Sequence, residues 1–489
     1  MPGAEIAILA LSVRPGVVLR YLGQLCLPIA GMTGVGLLVT AAHAEWGYAW
    51  RFAVLTALLV AAGGLALRRP RAARLQINEA LVITVLVFLV GALALAWPLT
   101  ASGLTPMDAL FEGISAITTT GLSTQGSVAG FSFGFHFTRA WGQWFGGLGI
   151  VVLALAVLIN PGPVARRLSP SDESPEDTAS STRASAARFT VIYLALTGAG
   201  VLVLLACGLG LYDAVLHALA AISTGGFSNY DASLAGLGGF MPQVGVTLIG
   251  LAGAVSFALY YRAWTHGWRT LVRDEEVRAL LILGLVTTLL VAGMTGLSSG
   301  RWGLTALGQA GLVAFSAQTT TGFSPLDVGQ LDTAAKAVLT FAMLIGGDMG
   351  STAGGIKLVR FLILLKLLHA MIVRTCLPVH ATIRIRVNGR RVDGHAVHFA
   401  GVTTLWFVVV TLLAWLPFLV LGYAPLDALF EVASAIGTVG LSTGIAAGLE
   451  SGWLKGLLAL VMLMGRLEII AILVFFYPRT WIGRRALSR

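Results

Sequence analysis

The chain has 489 residues, of which 57% are hydrophobic and 11% charged, and its formal net charge is +10. A soluble domain of that composition would leave apolar surface uncovered and aggregate, which excludes soluble enzymes and soluble binding modules. The positive charge is not a nucleic-acid surface either, because it alternates along the chain with apolar stretches.

Stretches of roughly twenty apolar residues, the length that crosses a bilayer, fall near 21–42, 51–67, 78–97, 138–160, 189–210, 241–260, 278–298, 334–370, 398–421 and 453–476. The first two form an N-terminal hairpin within residues 1–75. The opening Met-Pro-Gly-Ala-Glu lacks a charged, cleavable leader pattern, so no processing is expected. Arginines gather in alternate connections: Arg68, Arg69, Arg71 and Arg74; Arg166, Arg167, Arg183 and Arg188; Arg262, Arg269, Arg273 and Arg278; Arg374, Arg384, Arg386, Arg390 and Arg391; Arg479, Arg484, Arg485 and Arg489. The opposite connections hold only Arg51, Arg139, Arg301, Lys336 and Lys455. This asymmetry predicts that both termini are cytoplasmic. Cys26, Cys207 and Cys376 are too far apart for a disulfide framework or a metal site.

The other eight spans pair off, and each pair brackets one copy of a recurring phrase. The first copy is Asp108-Ala-Leu-Phe-Glu-Gly-Ile-Ser-Ala-Ile-Thr-Thr-Thr-Gly121, and the fourth is Asp427-Ala-Leu-Phe-Glu-Val-Ala-Ser-Ala-Ile-Gly-Thr-Val-Gly440. Asp213 to Gly226 and Gln309 to Gly322 are the second and third. The result is a repeat of roughly a hundred residues, with units at 76–165, 188–276, 277–394 and 395–489. A polar cytoplasmic loop is expected at 166–187, within a polar stretch that runs from Pro161 to Ala187. A small hairpin is expected around Asn388-Gly389, between Ile372 and His395.

The apolar run from Asp108 to Ile117 is too short to cross a membrane and predicts a re-entrant helix. Thr105 is its N-cap, Pro106 its first residue and Asp108 the carboxylate reaching back; Pro425 and Asp427 repeat the placement. Each short helix runs into a Thr/Gly turn, so its negative dipole end faces whatever that turn holds, which suits a cation. Within a bilayer, non-helical backbone survives only when buried in protein or lining a wet path. Four such turns at one depth can aim carbonyls at a common axis and replace the hydration shell of an alkali cation. For any single glycine the plainer alternative is a helix C′ cap.

The fourfold phrase, with Phe145-Gly-Gly-Leu-Gly-Ile150, Ser256-Phe-Ala-Leu-Tyr-Tyr-Arg262, Gly346-Gly-Asp-Met-Gly-Ser-Thr-Ala-Gly-Gly-Ile-Lys357 and Gly465-Arg-Leu-Glu468, resembles the TrkH/KtrB/HKT superfamily of potassium transporters, the TrkH branch most closely. The resemblance covers nearly the whole chain. It implies an all-α polytopic membrane protein, with four membrane–pore-helix–membrane repeats around a pseudo-fourfold pore plus the N-terminal two-helix hairpin. It further implies a homodimer in a bacterial inner membrane, K⁺ as the transported ligand without a cofactor, and a cytoplasmic TrkA-like ring of nucleotide-binding regulatory subunits. Its filter maps onto Thr119, Thr120, Gly121, Thr224, Gly225, Gly226, Thr320, Thr321, Gly322, Thr438, Val439 and Gly440. Four glycines imply K⁺ preference, whereas serine at the first goes with Na⁺ in some plant members. Gly225 and Val439 stand where the other copies have threonine, and Gln309 where they have aspartate, so looser discrimination is expected.

The span at 334–370 contains Gly346, Gly347, Gly350, Gly354 and Gly355, too many for a continuous helix, and predicts helix, loop, helix. Asp348 is expected to cap the following half-helix or meet a cation, with Lys357 toward the cytoplasmic end. The Gly-Lys-Ser/Thr ending of a phosphate-binding loop is missing. Arg466 lies within an apolar run, where a guanidinium is functional by default; an ion pair with another helix is the structural alternative. Glu468, two positions on, is not an intrahelical partner. The resemblance places Arg466 beside the glycine loop, the two together forming the gate. The eight histidines show no ligand spacing. Trp46, Trp50, Trp97, Trp141, Trp144, Trp453 and Trp481 read as interfacial anchors. No catalytic cluster supports a membrane enzyme, and a scaffold leaves the turns unexplained. A Na⁺-permeable or cation-coupled member of the same superfamily remains the nearest alternative.

Overall fold

The computed structural model describes residues 12–70, 75–159, 175–300, 302–378 and 384–482, with side chains described outside 150–183 and 299. Helices α1 (Pro15–Ala42) and α2 (Trp46–Leu67) form the N-terminal hairpin. The first unit follows as α3 (Ile77–Leu99), the short α4 (Pro106–Ile117) and α5 (Phe133–Ile159). The second has α6 (Pro175–Ala206), the short α7 (Leu211–Ile222), α8 (Phe240–Gly253), α9 (Phe257–His266) and α10 (Arg269–Arg273). In the third, α11 (Glu275–Ser299) leads to the short α12 (Leu304–Gln318), then α13 (Thr333–Leu344), a glycine-rich loop and α14 (Leu358–Arg374). The fourth comprises α15 (Gly394–Val420), the short α16 (Pro425–Gly437), α17 (Gly452–Arg466), α18 (Ile470–Phe476) and α19 (Pro478–Trp481). Between α14 and α15, β1 (Arg386–Val387) and β2 (Arg390–Arg391) pair antiparallel, the hairpin expected at Asn388-Gly389.

Among the described residues, six helices are long and apolar enough to cross a bilayer, and two bent pairs qualify when each pair is taken together. Outward-facing leucines such as Leu38 and Leu65 stay more than 60% exposed, a surface that only lipid can solvate. The interior is made of clusters that join one unit to another. Phe88, Phe111 and Ile117 of the first unit pack in one cluster with Phe418, Ile436 and Met462 of the fourth, so the ends of the repeat array meet. Phe137 and Trp144 join the second unit's Leu216 and Phe257, while Val313 and Leu339 of the third meet Phe430 and Val439 of the fourth.

Several expectations need correction. Residues 175–187 are not loop but the first turns of α6, where Ala184, Ala186 and Ala187 favour helix. The remainder of the expected 166–187 loop lies outside the described residues through 174. The spans at 241–260 and 453–476 are not continuous: α8 and α9 meet at 88° and α17 and α18 at 117°. Helix α12 begins five residues before Gln309, which therefore lies within the helix rather than opening it. Arg139 is no loop residue; it is buried in α5 beside Glu112 at 3.1 Å. Trp141 and Trp144 are not interfacial: they stack 4.9 Å apart, and their indoles donate to the Met32 carbonyl and the Thr197 hydroxyl.

Candidate functional site

All four short helices end in the same backbone pattern. Thr119, Thr224, Thr320 and Thr438 take left-handed φ values of 52°, 51°, 54° and 49°, and two residues later Gly121, Gly226, Gly322 and Gly440 have φ of 90°, 80°, 83° and 96°. The threonine amides bond to Ala116, Ala221, Ala317 and Ala435 carbonyls, and the next amides, of Thr120, Gly225, Thr321 and Val439, bond to Ser115, Ala220, Ser316 and Ser434 carbonyls. That is a Schellman closure with threonine, not glycine, at its left-handed position. The capping explanation for the glycines therefore fails, because each helix is capped two residues earlier.

Close approach explains them instead. A Cβ on Gly121 would overlap the Gly225 carbonyl oxygen, on Gly226 that of Thr321, on Gly322 that of Val439, and on Gly440 that of Thr120. Each glycine thus abuts the carbonyl preceding the next glycine, and the sequence of contacts returns to its start. Four backbone carbonyls and four glycines alternate around one closed ring.

Hydroxyls hold the ring from behind. Thr118 and Thr120 pair at 2.8 Å and Thr319 and Thr321 at 2.7 Å, while Ser115 and Ser434 accept from the amides of Gly121 and Gly440 at 3.1 and 3.0 Å. The Thr119 and Thr438 hydroxyls are buried with no protein partner, which leaves them available to water or a cation. The second turn differs: Gln143 of α5 donates to the Gly225 carbonyl at 2.5 Å and accepts from the Phe227 amide at 3.2 Å.

Carboxylates, those of Glu112 and Glu431 fully buried, organise the segments after the turns. Glu431 accepts from the Ser442 hydroxyl and the Thr443 and Ala446 amides at 2.7–3.0 Å, and Glu112 from Ser123 and the Thr124 amide. Asp231 ties the second unit to the first through Ser127 and the amides of Val128 and Ala129; these bonds, the Val128 amide foremost, hold its carboxyl below the usual carboxylate range. Asp108 receives the Thr105 hydroxyl at 2.7 Å rather than reaching the cap backbone, and its other oxygen pairs with Lys455 of the fourth unit at 2.5 Å. Lys336 pairs with Asp427 in the same way at 2.8 Å. Lys455→Met should destabilise the protein by about 3 kcal/mol, since Asp108 is left largely buried and unpaired; thermal melting in detergent reads this, and an unchanged Tm would deny the pair its role in joining the fourth unit to the first.

Beneath the ring lies the glycine-rich loop. Gly354 presses against the Thr438 hydroxyl and the Gly437 carbonyl, and its amide donates to the Thr320 hydroxyl at 2.8 Å. The break between α8 and α9 frees the Gly253 and Ala254 carbonyls, which accept from Thr352 and Asp348 amides at 3.1 and 3.0 Å. Asp348 is buried; one oxygen accepts from the Ser256 amide at 3.3 Å and the other has no protein partner. It caps the second unit's α9, not the half-helix α14 that follows it. Lys357, the N-cap residue of α14, donates to the Ala353 carbonyl at 2.5 Å. Arg466, 3% exposed, donates to the Thr352 carbonyl at 2.5 Å and to the Gly146 carbonyl at 3.3 Å, tying the loop to the first unit. Glu468 pairs with Arg360 of α14 at 2.5 Å.

A family model described as TrkH, cation transport protein, matches residues 50–481. The chain belongs to the TrkH family. It is 30% identical to the Trk system potassium uptake protein TrkH of Halomonas elongata, over 95% of this chain and 98% of that one. It is also 30% identical to an uncharacterized cation transporter of Methanocaldococcus jannaschii, over 84% of each. The crystal structure of the potassium transporter TrkH from Vibrio parahaemolyticus superposes with a TM-score of 0.84 at 26% identity, covering 96% of this chain and all of that one.

The chain thus brings four of the turn carbonyls and the four turn glycines into one ring, sets Gly354 of the broken span against the Thr320 and Thr438 hydroxyls, and ties that span to the first unit through Arg466. Gln143, Glu112 and Glu431 carry this geometry too, and sequence reasoning passed over them. The only signals were polar residues inside otherwise apolar helices: Glu112 and Glu431 lie at one register in the repeated phrase, and Gln143 lies four residues after Arg139.

Proposed function

We propose that the chain conducts K⁺ into the cell across a bacterial inner membrane, down its electrochemical gradient, with the ring of turns as selectivity filter and the glycine loop with Arg466 as gate. The observation that carries this reading is the closed ring of carbonyls, which offers an alkali cation oxygen ligands from four sides. The potassium uptake named for the Halomonas relative and the potassium transport named for the Vibrio structure agree with it. Supporting the gate are the loop's position under the Thr320 and Thr438 hydroxyls and a buried guanidinium that holds it. Both termini are read as cytoplasmic from the arginine asymmetry. The functional form is a homodimer with one path per subunit, regulated by a cytoplasmic TrkA-like ring of nucleotide-binding subunits that meets the arginine-rich connections and supplies the nucleotide control.

Potential-driven uptake into liposomes holding the purified protein tests the reading. K⁺ should enter in preference to Na⁺, and expression should restore growth on low K⁺ to cells lacking K⁺ uptake. Equal entry of both ions would favour the Na⁺-permeable alternative, and no entry of either would overturn the proposal.

A further inference from the structure

The four turns share a backbone and differ in what stands behind the middle residue. Thr120 and Thr321 fill that space with hydroxyls bonded to Thr118 and Thr319, and Val439 fills it with a buried apolar side chain. Gly225 leaves it open, and the Gln143 amide occupies it: a Cβ at Gly225 would overlap the Gln143 amide carbon. Gln143 is fully buried on α5. Its orientation is decided by the Phe227 amide, which can only donate, so the oxygen faces Phe227 and the NH₂ faces the Gly225 carbonyl. That carbonyl is the ring member abutting Gly121. Among the described residues, no side chain donates to its three counterparts on Thr120, Thr321 and Val439.

On the reading of the ring as filter, we infer that Gln143 is a specificity-determining residue that offsets the missing side chain at Gly225. Its N–H takes up one lone pair of the Gly225 oxygen, which weakens the field that oxygen presents to an ion. The two bonds to residues 225 and 227 also brace the turn on either side of Gly226, so the carbonyl cannot swing inward around a smaller ion. Na⁺ needs both a stronger field and a closer approach than K⁺ to replace its hydration, and Gln143 denies it both. The departure at Gly225 is therefore one half of a pair, and the loose discrimination expected from it is corrected by α5.

The test is the K⁺/Na⁺ permeability ratio of the reconstituted full chain, from reversal potentials under bi-ionic conditions. Gln143→Leu removes the donor with little change of volume, and Gly225→Ala displaces the amide; each should lower the ratio about tenfold, the weight of one buried hydrogen bond. The double variant Gln143→Ala/Gly225→Thr empties that space and rebuilds the wall as in the first and third turns, and should recover most of the loss. A purely structural role would lower yield or melting temperature and leave the ratio of the surviving protein at the wild-type value. Either single variant conducting with an unchanged ratio overturns the inference; if neither folds, a double variant that conducts with a ratio still tenfold down overturns it as well. Gly121→Ser, measured alongside, separates the two levels. If it shifts the ratio and the Gln143 variants do not, only the role of Gln143 falls, whereas if it too has no effect, the filter reading itself fails.

Discussion

Gly121→Ser is expected to lower the K⁺/Na⁺ permeability ratio by about tenfold or more, each 1.4 kcal/mol of lost discrimination being a factor of ten. Two costs fall on the same atom. The φ of 90° at this position lies where L side chains are rarely found. The added Cβ would also overlap the Gly225 carbonyl oxygen, a backbone atom that moves only if its turn moves. The ring then loses its spacing at the carbonyl that Gln143 holds, and in the filter as proposed four-sided coordination of K⁺ becomes three-sided. Gly126 provides the control: it is exposed with nothing near its missing Cβ, so Gly126→Ser should conduct as wild type. An unaltered ratio in Gly121→Ser would mean that the ring does not select.

Arg466→Ala should raise basal cation flux by about tenfold or more. In the gate as proposed, a full positive charge at an illustrative separation of about 5 Å raises a passing cation's energy by about 3 kcal/mol at an effective dielectric of 20, so its removal lowers the barrier even when the loop stays in place. The substitution also frees the Thr352 and Gly146 carbonyls, releasing the tether between the glycine loop and the first unit. Arg466→Lys separates the two effects. It keeps the charge but cannot span both carbonyls with a planar fork, so it should raise flux less than alanine does. Unchanged flux in purified Arg466→Ala protein would sink the gate assignment.

Much of this was legible along the chain, for reasons tied to particular residues. The Thr105-Pro106 start of α4 and the broken span at Gly346–Gly355 are local signals, because caps, prolines and clustered glycines act on their own backbone. The buried Arg466 was conspicuous by contrast with its neighbours. The breaks after Gly253 and Arg466 were not legible. Val255 reads as any apolar residue, and Ile469 carries a φ of 62° that its own chemistry disfavours. The first break persists because the glycine loop uses the carbonyls it frees. Arg139 and Lys455 read along the chain as exterior charges because their partners, Glu112 and Asp108, lie 27 and 347 residues away in sequence.

By itself, the sequence determined that the chain carries many spans long and apolar enough to cross a membrane, and that a short helix ending in a Thr/Gly turn recurs four times. Hydrophobic length, helix-end chemistry and periodicity are properties of neighbouring residues, so no folding is needed to read them. Why the glycines are glycines was decided only by tertiary structure. Threonine already caps each helix, and the absence of a side chain matters because another unit's carbonyl occupies that space. The asymmetry at Gly225 likewise acquired meaning only from Gln143, brought against it from the first unit by packing between units that no local pattern encodes.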